Sequence, residues 1–69
     1  MNRVTRSQFV STLSNLPFHI QAIRDEAGTV NYYAPWDTER RDLFALREIK
    51  TGAAYGALYY LSAALMEGI

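Results

Sequence analysis

LFALREIKTGAAYGALYYLSAALM, residues 43–66, is the stretch on which the fold turns. It is apolar nearly throughout, and its charges, Arg47, Glu48 and Lys50, are confined to the first third. At 100° per residue, Leu43, Ala45, Leu46 and Ile49 share an arc of about 160°. Glu39 and Asp42 precede that arc and Lys50 closes it, the charge order that suits a helix dipole. Asp37 or Thr38 offers an N-cap and Gly52 a C′ glycine. The pattern predicts a helix over residues 38–50.

The same reading continues past Gly52. Leu58, Leu61 and Leu65 form one helical face with Ala54. Ala53, Gly56, Ala57, Ala63 and Ala64 form a second face of small residues, interrupted by Tyr60. Tyr55, Tyr59, Ser62 and Met66 form a third. This predicts a helix over 53–67, apolar all round and therefore in need of cover all round. Gly52-x-x-x-Gly56 and Ala53-x-x-x-Ala57 allow two backbones to approach closely, so Gly52, Ala53, Gly56, Ala57, Tyr60 and Ala64 are the expected self-association residues of a homodimer.

Working toward the N-terminus, Pro35 and Trp36 form a connector with Tyr32 and Tyr33 just before it. Phe18 to Tyr33 alternates in two arms, Phe18/Ile20/Ala22 and Val30/Tyr32, around Arg24-Asp25-Glu26-Ala27-Gly28. Asp25 suits the first position of a turn, and Gly28 suits a positive φ. A β-hairpin over 18–33 is expected, with continuation of the first helix as the rival. Thr5-Arg6-Ser7-Gln8 is a capping box, and Phe9, Val10, Leu13 and Leu16 follow at helical spacing. Pro17 stops that helix, which is expected over 5–16. The fold class expected from the sequence is α+β: one domain, residues 1–69, with helices packed on a two-stranded antiparallel hairpin. The alternative is an all-α bundle.

Composition narrows the function. The chain has 69 residues, of which 49% are hydrophobic and 20% charged, so it is neither disordered nor more than one domain. Seven basic and seven acidic residues cancel, which argues against a generic grip on nucleic acid or anionic lipid. With no cysteine and a single histidine, His19, thiolate chemistry, disulfides and a multi-histidine metal site are excluded within one chain. No cofactor or metal is expected. Asp37, Glu39 and Asp42 cluster, but capping accounts for them. The longest apolar run, Ala53–Met66, falls short of the ~20 residues of a membrane span, and no leader pattern follows Arg3 and Arg6, so a cytoplasmic location is expected.

On the helical reading, Phe44 falls outside the core arc and is ringed by Arg40, Arg41, Arg47 and Glu48. Arginine around an aromatic is the composition of a binding hot spot. The expected partner-binding residues are these five with Tyr32, Tyr33 and Trp36. The expected function is that of a small non-enzymatic protein-binding module, a regulator or inhibitor of a larger protein, of the kind bacteria and phages use as accessories. The alternatives are a structural or assembly protein, or a nucleic-acid binder using the arginines of the second helix.

Overall fold

The computed structural model describes residues 1–50 and 56–67. It is mostly sheet. The elements are β1 (Asn2–Val4), α1 (Arg6–Ser14), β2 (Gln21–Arg24), β3 (Val30–Tyr33), β4 (Leu43–Lys50), β5 (Gly56–Leu61) and α2 (Ala63–Met66). The five strands form one antiparallel sheet in the order β1-β5-β4-β3-β2. β2 to β5 run as a meander, and β1 closes the far side against β5.

This overturns the expected fold class. Residues 38–50 do not form a helix: 37–42 are loop and 43–50 are a strand. The expected helix over 53–67 is instead β5 followed by the four residues of α2. The chain is therefore neither a helix–hairpin–helix domain nor a helical bundle, and the hairpin of β2 and β3 is part of a larger sheet. The physical reason lies in period. A short run that is apolar on both sides satisfies a buried strand as well as a buried helix, and spacing alone does not separate the two. Tyr59, Tyr60 and Leu61 suit a pleated surface, and β5 has β1 on one side and β4 on the other to hydrogen-bond with. The helical Gly52–Ala64 stripe goes with that correction. Gly52 and Ala53 lie outside the described residues, Gly56 and Ala57 begin β5, Tyr60 lies within it and Ala64 belongs to α2.

Local chemistry sets the turns. Thr5 caps α1 with its side chain on the Gln8 amide, while the Gln8 side chain takes the Thr5 amide at 2.9 Å. Asp25 organises the β2–β3 turn: its Oδ1 accepts from the Ala27 and Thr29 amides, both at 3.0 Å. Gly28 closes that turn at φ 87°. Between β3 and β4 the register shifts at Tyr32/Tyr33, a bulge that sets Leu43 opposite Tyr33 and Ala45 opposite Tyr32.

The helices share one face of the sheet. Phe9 of α1 is the anchor, 5% exposed, packed on Ala45 and Leu61, both fully buried. Its ring meets Tyr32 edge-on at 5.4 Å and Tyr59 at 5.0 Å. Leu65 and Met66 of α2 join the same cluster. Topology explains why α1 lies there. The chain must travel from the β1 edge to the β2 edge, about 19 Å across five strands. Nine helical residues supply about 13 Å of that path, and residues 15–20 supply the rest.

Phe9→Ala should lower unfolding stability by about 3–5 kcal/mol in urea denaturation, whereas Val10→Ala, one residue on and 47% exposed, should stay within about 0.5 kcal/mol. Backbone strain gives a second pair. Gly28→Ala should destabilise by about 1 kcal/mol although a Cβ there meets nothing within 4 Å. Arg40, a non-glycine at φ 55°, should go the other way, Arg40→Gly gaining up to about 1 kcal/mol.

Candidate functional site

Strand alternation sorts the expected site residues onto two faces. Ala45, Arg47, Tyr32 and Tyr59 lie on the helix-covered face, since Ala45 opposes both Tyr32 and Leu61, and Arg47 opposes Tyr59. Tyr32 is therefore part of the core beneath Phe9, not a connector aromatic. Arg47 is half-buried there, with its Nε enclosed and without a hydrogen-bond partner. Phe44, Leu46, Glu48, Tyr33 and Tyr60 belong to the other face. The ring of charges around Phe44 was a product of helical geometry. In the strand its neighbours are Leu43 and Ala45, Arg40 and Arg41 are in the loop before it, and Arg47 faces the opposite way.

The structure assembles a different group at the end of the sheet where β4 begins. The Phe18 ring lies 4.7 Å from Trp36, edge to face, and 5.9 Å from Phe44. Trp36 sits at the rim of this trio and is 68% exposed. Phe18 escaped the sequence reading because its contact with Trp36 spans two strands and a turn, which no local spacing reveals.

The loop that carries Trp36 is built to hold one shape. Gln21 Nε2 donates to the Ala34 and Asp37 carbonyls, both at 3.0 Å, and pins the loop to the β2 end. Ala34 is 2% exposed beneath it. The Asp37 carboxylate accepts from the amides of Asp42, 2.9 Å, and Arg41, 3.0 Å. The sequence assigned Asp37 to capping, and it does accept backbone amides, but those of a loop. These amides, Asp42 first and then Arg41, hold its carboxyl below the ordinary 3.8. Arg41 and Glu39 form an ion pair at 2.7 Å, exposed on both sides, and Arg40 occupies the left-handed turn between them.

Concave features are shallow. A cleft of about 440 Å³ between α1 and α2 is lined by Ser7, Gln8, Ser11, Thr12 and Asn15, with Leu65 at its floor. It offers hydroxyls and amides but no acid, base or activated nucleophile. His19 is exposed, in a second groove of about 540 Å³ beside Pro17 and Phe18. Among the described residues no group of three or more His, Cys, Asp or Glu converges on a metal position, and no helix is long and apolar enough to cross a membrane. No family model, curated protein or solved structure matches the chain.

Asp37 sets a pH dependence whose sign is determined. Its folded pKa is depressed, so the stabilisation it brings is present above its unfolded value and is lost as pH falls through 3.8 toward the folded value. Asp37→Asn should be less stable than the parent at pH 7, and the gap should close in melts between pH 4 and pH 2.

Proposed function

We propose that the chain is a small non-enzymatic protein-binding module that regulates a larger partner through the end of the sheet bearing Trp36. The observation that carries this reading is the Trp36 ring itself: two-thirds exposed, yet braced edge-on by Phe18 and set on a loop pinned by Gln21 and Asp37. An exposed tryptophan contributes little to its own fold. Held in one position, it loses little entropy on entering a pocket, which favours affinity. Arg40 on the same loop suits a carboxylate at the rim of such a pocket. The partner chemistry that fits is an apolar cavity edged by acidic side chains.

The basic residues support a protein partner better than a nucleic acid. Arg47 is on the helix-covered face and Arg41 is already paired with Glu39, so the arginines do not combine into one phosphate-binding patch.

Trp36→Ala should leave the melting transition within about 0.5 kcal/mol of the parent while weakening partner binding by about 2 kcal/mol or more, roughly thirtyfold. The measurement is capture from lysate of the source cell with parent and variant side by side, followed by titration of the captured protein. A partner retained equally by Trp36→Ala and by the parent overturns the reading.

A further inference from the structure

The chain enters α1 from Val4, which pairs with Tyr59, and returns to the sheet at Gln21, which pairs with Tyr33. On the face between, Phe9 settles on Ala45 and Leu61. Val30, toward the β2–β3 turn, lies outside that cluster, although it is only 7% exposed. Its cross-strand neighbours are Arg24 on β2 and Arg47 on β4. Both arginines therefore stand on the face of Val30, one on each side of it, with their Cα atoms about 10 Å apart. Arginine lays its stem along an apolar neighbour and keeps its charge toward water. From this placement we infer that Arg24 and Arg47 together hold one small oxyanion of the phosphate type above Val30.

The two guanidiniums differ in a way that suits the task. Arg47 is half-buried, and its Nε is enclosed without a hydrogen-bond partner. Its terminal amino groups are not among the enclosed unpartnered atoms, so the stem is held while the end of the fork reaches solvent. A cation fixed in this way loses little freedom when it binds, and partial removal from water strengthens its pull on an anion. Arg24 is exposed at the end of β2 and free to close from the other side. A planar fork of N–H donors matches the oxygens of a phosphate, and two such forks match its two charges.

No acid competes for this pair. The one ion pair among the described residues is Arg41–Glu39, on the loop before β4. Asp25 follows Arg24, but its carboxylate takes the Ala27 and Thr29 amides and the Asn31 amide group at 3.4 Å. Asn31 and Glu48 alternate with Val30 and Arg47 and belong to the opposite face. Glu26 is exposed within the turn. Along the row, the next neighbours past Arg47 are Tyr59 and Val4. The adjacent row of Ala22, Tyr32, Ala45 and Leu61 carries no charge. Two guanidiniums suit a single anion, whereas a nucleic-acid strand is held by a series of phosphate contacts. The inference uses neither Trp36 nor its loop and does not rest on the proposed function.

The test is a titration of the full chain, labelled with nitrogen-15, with inorganic phosphate, followed through the arginine Nε–H signals against sodium chloride at equal ionic strength. Phosphate should move the Arg47 and Arg24 signals to saturation, and chloride should not. Arg24→Gln, a change at an exposed position, should weaken phosphate binding at least about tenfold. Should that variant fail to fold, Arg47→Lys keeps the charge, loses the fork and should weaken binding to a similar degree. A shift that never saturates, or that chloride reproduces, marks an adventitious ion only and overturns the inference. Saturation seen at Arg40 in place of Arg47 overturns it as well, as does a folded variant that binds phosphate like the parent. Loss of partner capture in Trp36→Ala has no bearing on these signals, so the two readings fail separately.

Discussion

Ala45 and Leu61 stand directly opposite each other on β4 and β5, and both are fully buried. The rest of the structure depends on the contact they make beneath Phe9. Ala45 is small, which leaves room over the centre of the sheet for an aromatic ring, and Leu61 forms the wall beside it. Phe9 fills the space and reaches Tyr32 on one side and Tyr59 on the other, so that one helical side chain joins three strands. Interiors are packed to crystal density, so a core of so few residues tolerates little error at any of them. The Ser62 amide bonds the Phe44 carbonyl at 2.8 Å just past this pair, turning the chain into α2 and back onto the same cluster.

What was legible in the sequence was local. Thr5 and Gln8 satisfy each other within one helical turn, and Asp25 with Gly28 makes a turn from five consecutive residues, so both are readable without knowing anything else about the fold. β1 was not readable, because Asn2–Val4 is a strand only through its pairing with Leu61, Tyr60 and Tyr59 at the other end of the chain. β4 was misread for a different reason. Asp37, Glu39, Asp42 and Lys50 are placed as helix caps and dipole partners would be, yet Asp37 spends its carboxylate on a loop and Glu39 spends its own on Arg41. Charge order is weak evidence when each charge has a nearer use.

The candidate site shows the same division. Phe44 was expected at the site from helical spacing among the arginines, and Tyr32, Tyr33 and Trp36 from the aromatic connector; of these, Phe44 and Trp36 both meet Phe18. Period two sends Tyr32 and Arg47 to the helix-covered face instead. Phe18 and Gln21 were missed because their roles lie in tertiary contacts, one bracing Trp36 and the other pinning its loop. The sequence supplied the chemistry of the site, and the sheet decided which members of it meet.

The expected helix over 53–67 and the strand β5 found there have one cause in the sequence. A strand with one side in water alternates apolar and polar residues, and that alternation would have marked 56–61 as a strand at once. Ala57, Tyr59 and Leu61 face the helices, but Leu58 and Tyr60 on the other side are no more polar. Nothing in the run distinguishes inside from outside, so a helix buried all round fitted equally well. Such a pattern is costly on a face left in water, because exposed apolar strands invite aggregation. On β4 the chain supplies part of that cover itself, with the Phe18 ring 5.9 Å from Phe44. The self-association expected through the small-residue stripe rested on a helix over 53–67, and in β5 the neighbours Gly56 and Ala57 fall on opposite sides of the sheet.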